Sequence, residues 1–430
     1  MDFQTIGLLS IGVLLAVVLL GCPVGLAMII VGFGGFALMI GIDPALSVLE
    51  TAAWETATNY GFTIVPLFML MGNVISESGM ARDLFRASER LTRGWSGGIA
   101  AAGVTASAAF STISGSSLAT AATITRVAYP EMEKRGYDKR LAAGSLAAGG
   151  TLGIMIPPSI ALLLYALITE QSVGEMFLAG ILPGILAYTL YMITILIISR
   201  YWKSGDSTAV FDETSRKEAL LLFLPAMALF GLVMGGLYGG FFSPTEAGGA
   251  GALFALIFAC FRGMRWPGLL RALKNTVAAT AGIFLILIGA ETYGFVISTS
   301  QISFEIVAAM RDAGLEPWQV LALILMFYIV LGCFMESLAM ILLTIPIFFP
   351  VIVEAGFDPV WFGIIAVVTV ELGLITPPVG MNLFMVKSSA PNLDQRSIMI
   401  GVLPFVLSDV VRLVLLILFP SIALFLTGRM

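Results

Sequence analysis

Apolar runs long enough to cross a membrane recur along almost the whole chain, and they leave few folds open. A spanning helix needs about 20 mostly apolar residues. Such runs fall near 5–20, 24–41, 61–79, 141–168 and 176–199, and again near 219–238, 248–261, 276–298, 360–386 and 397–426. Two further apolar stretches, 98–126 and 318–350, are too long for one crossing and are broken at the middle by small or polar residues. They read as re-entrant hairpins. Only 11% of the 430 residues are charged, against about 25% in a soluble domain. The expectation is therefore an all-α polytopic membrane protein with about ten spanning helices plus two re-entrant hairpins. The N-terminus, Met1-Asp2-Phe3-Gln4-Thr5, lacks a basic stretch ahead of the first run, so that run is expected to be a retained span.

The two halves repeat each other. Pro130 pairs with Pro350, Gly136 with Gly356, Asp138 with Asp358 and Gly153 with Gly373, always 220 residues apart. Pro157-Pro158 answers Pro377-Pro378, and Ser117-Leu118-Ala119 answers Ser337-Leu338-Ala339, at the same spacing. The units are 1–205 and 219–430, joined by the polar linker 206–218. Each holds five spans and one hairpin, and an odd number of crossings turns the second unit upside down. Two inverted repeats with discontinuous helices are an architecture of secondary transporters, whose sites lie near the midplane.

Basic residues mark the cytoplasmic side. With the N-terminus periplasmic, 19 of the 22 Lys and Arg fall inside, among them Arg82, Arg86, Arg90, Arg135, Arg140, Arg262, Arg271, Lys387 and Arg396. The loops then outside carry mainly acids, including Asp43, Glu50, Glu55 and Glu354. Hairpin 98–126 enters from the cytoplasmic side and hairpin 318–350 from the periplasmic side. Arg82, Arg86 and Arg90, four residues apart, predict a helix over 80–93 at the membrane surface, either a solvated face or an arm carrying the next hairpin.

Four places break the apolar pattern. The first hairpin turns at Ser111-Thr112-Ile113-Ser114-Gly115-Ser116-Ser117, the second at Gly332-Cys333-Phe334-Met335-Glu336-Ser337. The spans after them break at Gly149 to Ser159 and Gly373 to Asn382, each through a Pro-Pro pair. Proline removes a donor and pushes the preceding residue out of helical geometry, which frees carbonyls. Hydroxyls and free carbonyls are hard oxygen ligands, so the ion they suit is sodium rather than a transition metal or calcium. Half-helix N-termini would meet an anion. No Arg or Lys lies at either tip or either break.

The ionisable residues at membrane depth are Glu246, Glu291, Glu336, Glu371, Asp409 and Arg412. Ser243-Pro244-Thr245-Glu246 reads as a helix cap. Asp409 and Arg412, three apart, read as a local ion pair. Glu336 occupies the position matching Ser116. It would orient a sodium-binding carbonyl or accept from a substrate hydroxyl or ammonium, with a proton relay as a third reading. There is no histidine, and Cys22, Cys260 and Cys333 fit no disulfide or metal spacing. A membrane-embedded enzyme or redox subunit would need such ligands, so no enzyme activity, catalytic residue or nucleic-acid partner is expected.

Ser243-Pro244-Thr245-Glu246-Ala247, the run from Gly136 to Leu186 with its Gly-Ile-Met-Ile-Pro-Pro-Ser, and Gly373 to Asn382 resemble the large membrane (M) subunit of TRAP transporters, the tripartite ATP-independent periplasmic family. The resemblance covers essentially the whole chain. It implies an elevator-type fold of the ion-transporter superfamily, with the hairpins and broken spans in a mobile transport domain and the other spans in a scaffold. It implies sodium-coupled uptake of a small organic acid, carboxylate or sulfonate, across the bacterial inner membrane. Its partners would be a small four-helix membrane subunit and a periplasmic substrate-binding protein, with lipid around it. The alternative in transport is a stand-alone sodium/dicarboxylate symporter of the same superfamily.

The resemblance also implies residues for two or more sodium ions. The first site would lie among Ser114, Gly115, Ser116, Gly150, Gly153 and Pro157, the second among Gly332, Gly373, Thr376 and Val379. Substrate would contact Ser116, Ser117, Ser298, Glu336, Ser337 and Asn382. Members taking acidic sugars are expected to carry an arginine where this chain reads Ile297-Ser298-Thr299-Ser300-Gln301, which points away from a sialic-acid-like substrate.

Overall fold

The computed structural model describes residues 2–202 and 215–429, so most of the expected linker 206–218 lies outside the described residues. Every regular element among them is helical. The first unit runs α1 (Phe3–Leu19), α2 (Val24–Met39), α3 (Ile42–Thr58), α4 (Ile64–Glu77), α5 (Met80–Leu91), α6 (Gly98–Ser114), α7 (Ser117–Lys134), α8 (Lys139–Met155), α9 (Ile160–Ile168) and α10 (Val173–Ile198). The second runs α11 (Arg216–Tyr238), α12 (Pro244–Phe261), α13 (Trp266–Ser300), α14 (Ile302–Asp312), α15 (Pro317–Gly332), α16 (Ser337–Glu354), α17 (Pro359–Ile375), α18 (Met381–Ser389), α19 (Gln395–Leu418) and α20 (Ser421–Leu424).

The repeat holds element by element from α6 to α10 against α15 to α19. Both hairpins turn at the expected tips, and both long spans break at the expected Pro-Pro pairs, which are cis in both units. The caps explain the conserved spacing between the two halves. Asp138 accepts the Arg140 N–H at 2.8 Å at the start of α8, and Asp358 accepts the Trp361 N–H at 2.8 Å at the start of α17. Each carboxylate satisfies one of the helix's orphan donors.

Three expectations needed correction. The acidic stretch with Asp43, Glu50 and Glu55 is not an outer loop but helix α3, which buries Ala45, Ala52 and Thr56 on one face. Asn59 ends it by accepting the Gly61 N–H at 2.8 Å, and α4 follows. In the second unit the matching stretch runs unbroken as α13, 35 residues long, about 52 Å at 1.5 Å per residue. The hairpins are also longer than expected, extending to Lys134 and Glu354 because the helices continue through Pro130 and Pro350. By length and composition, eight helical segments among the described residues can cross a membrane, counting α8–α9 as one; α1 and α2, at 17 and 16 residues, fall just short of that length.

The third correction concerns packing. α1 to α4 gather with α11 to α13, as expected of the non-hairpin spans. Helices α10 and α19, expected in the same group, instead pack on the broken helices α8 and α17. The reason is close approach: a Cβ on Gly144 of α8 would lie 2.0 Å from the Gly401 carbonyl of α19, and one on Gly401 would lie 2.1 Å from the Arg140 carbonyl. Small residues of this kind let membrane helices touch backbone to backbone.

Helix α5 has the two faces expected of it. It buries Met80, Leu84, Phe85 and Ala87 while Arg82 and Arg86 stay exposed. Its Asp83 pairs with Arg262 at the end of α12, and its Glu89 with Arg135 at the end of α7. Beside them Arg271 meets Glu77 at 2.8 Å. These pairs bring basic residues assigned to the cytoplasmic side onto one end of the molecule.

Candidate functional site

The first tip packs into the first break. Gly115 takes the left-handed conformation that ends α6, and a Cβ there would lie 3.1 Å from Ile160 of α9. Ser116 caps α7, accepting the Ala119 N–H at 3.4 Å. Ser114 Oγ lies 2.7 Å from Thr120 Oγ1. Gly153 is there because nothing larger fits: a Cβ would sit 2.6 Å from the Ser116 carbonyl oxygen. Ser114, Gly115, Ser116 and Gly153 are thus brought together. Pro157 is buried at the break, on the side that packs against Gly180 of α10.

The second tip and break repeat this contact with different residues. Gly332 and Gly373 meet backbone to backbone, a Cβ on Gly373 lying 2.7 Å from the Gly332 Cα. The Gly380 N–H donates to the Cys333 carbonyl at 3.1 Å. Thr376 hydrogen-bonds back to the Leu372 carbonyl at 2.6 Å, leaving its oxygen lone pairs available. Val379 is half-buried beside it. Glu336 caps α16, accepting the Ala339 N–H at 3.2 Å, just as its repeat partner Ser116 caps α7 with Ala119. This cap is the role the structure gives Glu336, and Ser337 lies buried against it, its Oγ 3.4 Å from Glu336 Oε1.

The two units meet through Asn382. Its side chain is fully buried, donates to Ser117 Oγ at 2.8 Å and the Ala147 carbonyl at 3.3 Å, and accepts from Ser117 at 3.1 Å. A Cβ on Gly150 would lie 3.1 Å from Asn382 Nδ2. The α18 half-helix of one unit therefore reads the hairpin and broken helix of the other. The repeat position of Asn382 in the first unit is Leu162, so this polar contact exists on one side only. Ser298 stands apart. It is exposed near the end of α13, where its neighbour Ser300 packs on Gly7 of α1.

Sequence reasoning missed one buried group. Arg412 Nη2 pairs with Asp409 at 3.1 Å, as expected, but also with Glu371 of α17 at 3.0 Å. In the sequence Glu371 is only an isolated charge at membrane depth. The signal was present in the excess of acid over base there, which requires a partner for Glu371. Glu246, in contrast, is the cap its motif indicates, with Ser243 and Glu246 exchanging bonds of 2.8 and 3.3 Å.

Duplicated broken helices whose tips interlock define a class of integral-membrane transporter. The chain belongs to the tripartite ATP-independent periplasmic transporter family, matching its DctM component over residues 11–422. A C4-dicarboxylate TRAP transporter large permease protein, DctM, of Pseudomonas aeruginosa is 34% identical over 91% of this chain and 92% of its own length. The isethionate TRAP transporter permease protein DctMQ of Oleidesulfovibrio alaskensis is 31% identical over 87% of this chain and 59% of its own. Among solved structures, the YdaH transporter of Alcanivorax borkumensis has a similar fold, with a TM-score of 0.55 and 14% identity over 89% of this chain and 90% of that one.

Proposed function

We propose that this chain is the large permease of a tripartite system that takes up a small organic acid, carboxylate or sulfonate, by sodium symport across the bacterial inner membrane, with its N-terminus periplasmic. A periplasmic binding protein delivers the substrate, and a small membrane subunit accompanies the permease. The observation that carries this reading is the one-sided meeting of Ser117 and Asn382 between two tip-and-break pairs built of hydroxyls and carbonyls. A symmetric pair of oxygen-rich sites suits two or more cations. The asymmetric polar group between them suits a single substrate. C4-dicarboxylate and isethionate, named for the two relatives above, are a carboxylate and a sulfonate, both able to accept from a bound cation, and from Ser117 and Asn382 once these give up their mutual hydrogen bonds. An elevator movement of the hairpins and broken helices relative to α1–α4 and α11–α13 would supply alternating access.

The test is uptake into proteoliposomes holding the permease and its membrane subunit, with the loaded binding protein outside. Uptake should require an inward sodium gradient. Uptake indifferent to sodium would discard the coupling, and uptake without the binding protein would favour a stand-alone symporter. Ser116→Leu, which puts apolar bulk at the first tip, should abolish uptake while the protein still inserts; normal sodium-dependent uptake by this variant would remove the first tip from the site.

A further inference from the structure

Five side chains form a continuous polar chain through the helices that carry the breaks. Thr151 Oγ1 of α8 lies 2.9 Å from the Tyr191 hydroxyl of α10. Tyr191 donates to Asp409 of α19 at 2.6 Å. Asp409 pairs with Arg412 at 3.1 Å, and Arg412 donates to Glu371 of α17 at 3.0 Å. All five are fully buried. Tyr191 spends its only proton on the carboxylate, so Thr151 supplies the proton of the bond between them. That same hydroxyl lies 2.7 Å from its other acceptor, the Ala148 carbonyl. One proton thus faces two acceptors, the Tyr191 oxygen on α10 and the Ala148 carbonyl one turn back on α8 itself.

The ends of the chain matter most. Thr151 and Glu371 are repeat partners, 220 residues apart, each two residues before the glycine that meets its hairpin tip, Gly153 and Gly373. A purely apolar core would join these helices without burying three charges, which is costly at membrane depth. Instead a chain crosses α10 and α19 and ends beside both breaks.

We infer that Thr151, Tyr191, Asp409, Arg412 and Glu371 are positioning residues that couple the two cation sites, so that filling one break favours the arrangement that fills the other. This rests on the sodium reading above. Coupling between sites is a free energy shared by both and is reciprocal. A chain of this kind carries it because each member has a discrete partner to keep or lose.

The experiment is the sodium dependence of uptake in the reconstituted complete system. Wild-type uptake should rise steeply with sodium, with a Hill coefficient above one. Tyr191→Phe and Thr151→Val each remove one hydroxyl and keep the shape; the Tyr191 ring keeps its edge contact with Phe405, centroids 5.7 Å apart. Each should bring the Hill coefficient toward one and raise half-saturating sodium by about fivefold or more. Thr151→Ser keeps the hydroxyl and should behave as wild type. A loss of folded protein lowers the maximal rate but leaves the Hill coefficient alone. Unchanged steepness in both hydroxyl-deleted variants, a wild-type Hill coefficient of one, or equal effects of Thr151→Ser and Thr151→Val would overturn the coupling. Wild-type uptake that ignores sodium would overturn the sodium reading and the coupling together.

Discussion

Arg412 holds two carboxylates from two helices with a single nitrogen, and none of the three side chains touches solvent. Removing the cation strands two buried anions, whereas removing all three charges strands none. Arg412→Met should therefore lower stability by about 3–5 kcal/mol, read as a fall in the unfolding midpoint of the detergent-solubilised protein. The triple change Glu371→Gln, Asp409→Asn, Arg412→Met should recover most of that loss, since the uncompensated charge is what costs. A triple variant as unstable as the single one would show that packing of the guanidinium, not charge, is what matters. The sequence made half of this legible. Asp409 and Arg412 sit three apart on one helix, which any periodicity argument pairs. Glu371 lies 41 residues from Arg412, and no local pattern reports a contact between α17 and α19. The site divides the same way. Gly153, Gly373 and the tip serines stood out because small and hydroxyl residues are anomalous in apolar runs, and they do meet. Ser298 was placed by resemblance alone, and the fold seats its end of α13 against α1.

At the scale of elements, the broken helices begin at matched aspartate caps, and these explain a repeat that the sequence displays without a reason. Asp138 is bonded by the Arg140 guanidinium and by the Arg140 N–H. Those bonds hold its carboxyl below the ordinary carboxylate range, the Arg140 side chain being the largest cause. A carboxyl whose folded-state value is depressed stabilises above its unfolded value and loses that contribution as pH falls through the folded one. Asp138→Ala should cost about 1 kcal/mol at neutral pH. The difference from wild type should shrink as the solution is acidified below the ordinary aspartate range, measured as paired thermal midpoints across pH. A difference that persists undiminished in acid would mean that the cap acts through packing. Element lengths were legible wherever caps and Pro-Pro pairs punctuate the chain. The split of α3 from α4 was not. It depends on Asn59 and on tertiary burial of Ala45 and Ala52, while the matching stretch of α13 runs straight through.

The molecule as a whole divides into two helix groups, and α5 is fastened to both. Asp83 ties it to the end of α12 in one group, and Glu89 ties it to α7 in the other. If the hairpins and broken helices shift as a body during transport, this arm must either bend or travel, and its ion pairs set where it rests. Asp83 is nearly buried while Arg262 is 39% exposed, so the pair is worth about 1 kcal/mol or less to stability. Its effect on transport should exceed that. Asp83→Arg places a like charge against Arg262 at a buried position and should cut the uptake rate several-fold, beyond what its fall in unfolding midpoint accounts for. The swap Asp83→Arg with Arg262→Asp restores opposite charges and should recover most of the rate. Rates that follow the loss of stability in both variants would make the arm a packing element alone. Recovery by the swap would instead locate the resting position of the hairpin group in one exchangeable charge pair at the end of α12.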